Sequence, residues 1–307
     1  MSPSKPLHMG PIQWLMLLSL ALLWGGSFFF IELAIRDLPV FTIVTARVGL
    51  AAILLIGFVY LRGHTMPGSL ATWARFLLLG ALRATLPISL IVWAETQIDS
   101  GLASILNSTS PLFTMIVAHF LTADEPLTPN RTVGVIIAMS GVTVLIGAHA
   151  LQGLGLKVLA QLAMLGATLS YGFAAVYGRR FKALPTTVSS AGMLVGATLL
   201  ALPLALLLER PWTLRPSGLS VAAVLALAVL STALAFVIWF KLIHSAGAAN
   251  TSMVTFLIPI VGLLLGVGLL GERLEPSSLI GLALILLGLA VATKVVAAKW
   301  LTRVRPS

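Results

Sequence analysis

Ten stretches of about 20 apolar residues follow one another along this chain, each bounded by charge, Pro or Gly and joined by short connections. A helix rises about 1.5 Å per residue, so a run of that length crosses the roughly 30 Å of hydrocarbon in a bilayer. Inside that slab only helices and closed barrels satisfy every backbone amide. The runs lie near residues 12–34, 40–60, 73–94, 101–121, 132–149, 156–178, 187–208, 218–240, 247–270 and 278–298. They are continuously apolar, which excludes the alternating pattern of an outer-membrane barrel. The expected fold is an all-α membrane protein of ten transmembrane helices. The first run follows Lys5 and exceeds a cleavable signal core, so it too is read as a membrane helix.

The charge content agrees. Only 19 Lys plus Arg and 9 Asp plus Glu occur in 307 residues, whereas a soluble domain is about one quarter charged. No Cys is present, which removes a disulfide scaffold, a thiolate metal site and a catalytic thiol. The formal charge of +10 is scattered between apolar runs with no dense cluster, so no nucleic-acid partner is expected. Its placement reports orientation instead. With the N-terminus inside, 12 basic residues fall in inside segments, among them Arg179, Arg180, Lys182, Lys294, Lys299, Arg303 and Arg305. Five fall outside: Arg36, Lys157, Arg210, Arg215 and Arg273. Both termini are therefore expected in the cytoplasm of a multi-pass inner-membrane protein, with the basic clusters at the lipid headgroups.

The chain repeats itself. Glu125-x-Leu127-x-Pro129 followed by Gly134 and Gly141 returns as Glu272-x-Leu274-x-Pro276 followed by Gly281 and Gly288, always 147 residues later. Trp24-Gly25 is matched by Tyr171-Gly172 at the same offset, and Trp93 by Trp239 and Pro111 by Pro259 within one residue of it. Residues 1–150 and 151–307 then form two five-span halves. Five is odd, so the second half must enter the membrane inverted, the plan by which many secondary transporters open a central site to either side in turn. Duplicated bundles also occur in membrane enzymes and scaffolds, which stand as the alternative.

The Trp24-Gly25-Gly26-Ser27 turn, Leu38-Pro39 followed by Arg47, and Asp124-Glu125 and Gly271-Glu272 each followed by Leu and Pro resemble the EamA branch of the drug/metabolite transporter superfamily. The likeness is greatest to its YddG-type amino-acid exporters and covers both halves. It implies two inverted five-helix repeats around a cavity lined mainly by the first, third, fourth, sixth, eighth and ninth helices. It also implies export of small metabolites, neutral or aromatic amino acids among them. Other metabolites or drugs are the competing cargo.

Arg83 falls near the middle of the third run, where a charged side chain costs a few kcal/mol unless something compensates it. Two roles are open to it: attracting a substrate carboxylate in a wet cavity, or tying helices together. Arg47 and Glu32 stand near the outer ends of neighbouring runs and are expected to form a structural ion pair. Glu95 and Asp99 border the outer end of the third run, where water is expected to solvate them. In the fourth run Asn107, Ser108, Thr109, Ser110 and Pro111 interrupt apolar turns, which suits either a substrate passage or helix packing. Pro111 and Pro259 are candidate kinks for gating. Trp24, Ser27, Trp93, Tyr171, Tyr177 and Trp239 complete the candidate cavity on helices the resemblance places around it, although aromatics near run ends also serve as interface anchors.

No metalloprotease, nucleophile-elbow or Walker motif occurs, and no carboxylate pair faces itself across a run. No enzyme activity, metal or cofactor is expected. The expected partners are a small-molecule substrate and the bilayer, and a monomer would suffice. With His119, Glu32 and Glu95 the only titratable candidates near the path, transport is expected to be facilitated rather than proton-driven.

Overall fold

The computed structural model describes residues 9–150, 155–273 and 275–293, so Lys5, Leu274, Trp300 and the basic tail from Lys294 lie outside the described residues. Every described element is helical. Eight helices are long and apolar enough to span a membrane: Pro11–Ala34, Val40–Leu61, Leu70–Glu95, Ser100–Leu121, Pro129–Gly147, Leu156–Phe181, Thr186–Glu209 and Gly218–Ala246. Two shorter apolar helices follow, Val254–Leu270 and Pro276–Ala292. These are called the first to tenth spans.

Proline and glycine set many of the boundaries. Pro11 and Pro276 occupy first turns, where a missing N–H costs nothing, and Pro39 and Pro185 precede the second and seventh spans. The ninth span ends at Gly271, whose φ of 70° is the left-handed cap a residue without Cβ adopts freely. The spans are apolar around most of their circumference, as lipid on one side and protein on the other require. Leu15, Leu207 and Leu264 are among the large side chains left well exposed on the outer surface.

Lipid tails are as apolar as leucine, so helix association here rests on close backbone approach. The fifth span packs along the tenth, the first on the ninth, the fourth on the sixth, and the second and third on the seventh. A Cβ on Gly134 would lie 2.4 Å from the Gly288 carbonyl oxygen, and one on Gly141 would lie 2.8 Å from that of Gly281. The fifth and tenth spans therefore run antiparallel. Likewise a Cβ on Gly25 would meet the Ile258 carbonyl oxygen at 2.9 Å, and one on Gly172 that of Phe113 at 3.0 Å.

Several spans are not continuous α-helices. The third span contains a π-helical turn at Ala81–Thr85, and the eighth contains another at Val229–Leu234. The fourth span is two helices, Ser100–Asn107 and Ser110–Leu121. The ninth is preceded by a single turn, Ala248–Thr251. A further π-helical turn, Ala205–Glu209, ends the seventh span.

Candidate functional site

Arg83 occupies the π-helical turn of the third span and lies half-buried over the ring of Tyr171 on the sixth, 4.6 Å from guanidinium carbon to ring centroid. A π-turn places one extra residue in the helix and recurs at functional sites. Neighbouring spans hold it in place: Ser170 Oγ donates to the Leu82 carbonyl at 2.7 Å, and Thr85 Oγ1 to the Ala197 carbonyl at 3.1 Å. A cation over an aromatic face is stabilised by about 0.5–2 kcal/mol, which partly offsets the cost of a charge at this depth.

Arg47 extends the cluster. It is 9% exposed, faces Tyr171 and Glu95 electrostatically, and donates from Nε to Thr232 Oγ1 at 3.1 Å. Thr232 stands in the π-turn of the eighth span and donates to the Leu227 carbonyl at 2.8 Å, the backbone acceptor that the irregular turn leaves open. One polar layer thus joins the second, third, sixth and eighth spans through Arg83, Tyr171, Arg47 and Thr232. The expected Glu32–Arg47 ion pair does not form. Glu32 instead has Glu272, Arg36, Asp99 and Glu95 as its charged neighbours, while Arg47 gives its Nε hydrogen to Thr232.

The fourth-span break sits beside this layer. Thr109 Oγ1 is 3.3 Å from Thr168 Oγ1, one helical turn before Tyr171. Pro111 has no N–H to give the Asn107 carbonyl, and Ser110 Oγ donates to that carbonyl at 2.7 Å in its place. The Ser108 and Thr109 hydroxyls also donate to the Ile105 and Leu106 carbonyls, at 2.5 and 2.7 Å, beside the backbone amides those carbonyls already accept, and both residues are fully buried. All three hydroxyl protons are thus spent on the backbone of the break. Asn107 Oδ1 is different: it is buried with no hydrogen-bond donor. Buried oxygens of Thr45, Ser89 and Ser231 are also without partners.

The remaining candidates divide. Trp24, Trp93 and Trp239 are half-buried and pack on the apolar core, Trp239 against Phe236 and Phe240. Ser27 is 7% exposed on the first span, near the glycines that meet the ninth. Pro259 is buried within the ninth span. Tyr177 is drawn away to the end of the sixth span, where it meets Phe181 edge-on and carries Arg180 at 4.9 Å over its ring. His119 is exposed, and its Nδ1 accepts from the Leu127 amide at 3.2 Å.

The two ends of the bundle differ. At one end three carboxylates tie helix starts across long sequence separations. Glu209 accepts from the Phe41 and Thr42 amides at 2.8 and 2.6 Å. Asp37 accepts from the Ser217 amide at 3.0 Å and Ser220 Oγ at 2.8 Å. Glu272 accepts from the Ser100 and Gly101 amides, both at 2.9 Å. Gly266 makes room for that carboxylate, since a Cβ there would lie 2.3 Å from Glu272 Oε2. At the other end Arg179 pairs with Asp124, at 2.9 Å, and with Glu125.

Known proteins identify the process this arrangement serves. The EamA-like transporter family matches the chain twice, over residues 12–147 and 158–294. The chain belongs to the EamA-like transporter family. Among curated relatives of this EamA protein is the "Uncharacterized inner membrane transporter YedA" of Escherichia coli K12, 26% identical over 278 residues, which are 90% of this chain and 89% of YedA. The "Uncharacterized transporter YoaV" of Bacillus subtilis is 23% identical over 90% of this chain and 95% of its own. An "Uncharacterized transporter" of Archaeoglobus fulgidus is 26% identical over 92% and 99%. A crystal structure superposes with a TM-score of 0.66 at 21% identity, covering 92% of this chain and 98% of its own, and it supports the fold. The EamA protein is a multi-pass inner-membrane transporter. Its relatives carry transporter names, in keeping with a chain that is not an enzyme.

Proposed function

We propose that this EamA transporter exports small neutral amino acids, aromatic ones included, by alternating access between two inverted halves, residues 1–150 and 151–307, with both termini in the cytoplasm. The observation that carries the reading is the unlike state of two repeat-related carboxylates. Glu272 caps the start of the fourth span at Ser100 and Gly101. Glu125, 147 residues earlier, has Arg179 as its partner, and the amide of Gly247, the counterpart of Gly101, goes to the Ile243 carbonyl. One end is latched and its counterpart is not. Exchange of the two arrangements would expose the central layer to the opposite side.

The cargo follows from the layer. Arg83 complements a carboxylate, and the donor-free Asn107 Oδ1 accepts from an ammonium group. Half-buried Trp24, Trp93 and Trp239 offer apolar walls that discriminate side chains weakly, since one methylene changes binding by about 1–3 kcal/mol. The test is counterflow of labelled leucine and phenylalanine in proteoliposomes at equal pH on both sides. Accelerated exchange by wild type and its loss in Arg83→Ala are expected. Absence of counterflow for every neutral amino acid, with exchange of other metabolites, would transfer the reading to those cargoes.

A further inference from the structure

Glu95 departs from what its position in the sequence suggests. It ends the third span, where water was expected, yet it is 3% exposed and neither carboxyl oxygen has a hydrogen-bond donor. A carboxylate in that setting has lost its hydration and received nothing in exchange. The charged groups that face it are Glu32 from the first span, Arg47 from the second and Glu272 from the loop after the ninth. The two acids repel a negative charge on Glu95. Arg47 would favour one, but its Nε hydrogen is given to Thr232 and it makes no ion pair with Glu95. The sixth span, packed along the third, carries exposed Lys157 at its start and the uncharged Gln161 and Tyr171. Asp99, which opens the fourth span, adds negative charge near Glu32. The seventh span's carboxylate, Glu209, is occupied by Phe41 and Thr42.

We propose that Glu95 is an exchangeable proton site, occupied in the conformation in which Glu272 caps the fourth span and vacated when that end of the bundle opens. The step is carboxylate plus one solvent proton to give neutral carboxylic acid, and its reverse. The closed end therefore holds one more proton than the open end, and acid favours closure by linkage. The site lies where closure is made: Glu272, whose oxygens hold the Ser100 and Gly101 amides, is also one of the groups facing Glu95. Opening separates these elements and admits water, which then solvates the ionised form. The linkage to opening rests on the alternating-access reading, whereas the proton on Glu95 does not.

Two measurements on the full-length protein in nanodiscs separate these statements. Infrared difference spectra over a pH titration should contain a protonated-carboxyl band that disappears in Glu95→Gln and persists in Glu32→Gln. A band unchanged by Glu95→Gln overturns the proton site. In Glu95→Asp the band should return with a shifted midpoint, which guards against a loss caused by misfolding. The chain lacks Cys, so a single Leu102→Cys, half-buried in the polar recess beside Asp99 and Glu272, reports opening by maleimide labelling. Relative to the same cysteine in Glu95→Gln at each pH, labelling should be equal in acid. It should then rise about tenfold per pH unit through the titration. A ratio that stays flat while the Glu95 band titrates overturns the linkage but leaves the proton site standing, and alternating access itself is overturned only if saturating substrate never changes labelling at Leu102→Cys.

Discussion

A Cβ added to Gly134 would lie 2.4 Å from the carbonyl oxygen of Gly288, so the fifth and tenth spans touch backbone to backbone. Gly141 and Gly281 repeat the contact, and the four glycines exchange partners under the 147-residue offset: Gly134 becomes Gly281 and Gly288 becomes Gly141. Gly134→Ala should therefore force the helices apart and lower stability by about 1–3 kcal/mol, the usual cost of overpacking. Thermal unfolding in detergent measures it. Gly147→Ala, on the same helix with nothing within 4 Å, should be neutral or stabilising by about 0.5–1 kcal/mol through helix propensity. Equal effects of the two would mean that the glycine contact contributes nothing.

Arg83→Ala removes the one guanidinium in the π-turn of the third span and leaves the hydrogen bonds of Ser170 and Thr85 in place. Counterflow of neutral amino acids should fall about tenfold or more, equivalent to at least about 1.4 kcal/mol of lost substrate interaction. The amount of folded protein recovered in detergent should change little. Parallel loss of folded protein would make Arg83 a tie between the third and sixth spans instead.

How far the sequence reveals this site differs from residue to residue. The spans were legible because a bilayer imposes a length on apolar runs, and the repeat was legible in Glu125 and Glu272. Arg83 was legible because a charge in the middle of a span demands a reason. Its pairing with Tyr171, itself a candidate, and the π-turns were not, since an extra residue in a helical turn leaves no mark on apolar periodicity. Arg47 and Glu32 illustrate a second limit. Both stand near one end of adjacent spans, but the rotation of each helix sends one side chain to Thr232 and the other toward Glu272, Arg36 and Asp99. Glu95 illustrates a third. A carboxylate at a span end reads as solvated, and only packing of the sixth, second and first spans against its helix removes the water.

Orientation can be tested on the same Cys-free chain. His64→Cys, in the connection after the second span, should resist an impermeant thiol reagent applied to intact cells, and Gln97→Cys, after the third, should react. The reverse pattern would place the termini outside and put the Glu272 latch on the cytoplasmic face.

Strong acid should act on the same end in the opposite sense to the Glu95 proton, by removing the Asp37 tie. Asp37, in the connection between the first and second spans, is held below its ordinary value of 3.8, chiefly by the hydrogen bond from the Ser217 hydroxyl, helped by the Ser217 amide and Ser220. A carboxylate whose folded-state value is depressed stabilises the fold above its unfolded value. That contribution disappears as the pH falls through the folded value. Asp37→Asn should therefore melt below wild type at neutral pH, and the difference should shrink once the pH drops under about 3.8. Asp124, held low first by its hydrogen bond to Arg179, has the same sign at the opposite end. Asp124→Asn should converge with wild type in the same direction. The two ends are told apart by labelling at Leu102→Cys, which Asp37→Asn should raise at neutral pH and Asp124→Asn should lower, since alternating access opens one end at the expense of the other. A rise in both would count against alternating access, and a rise in neither would remove the Asp37 tie from the latch.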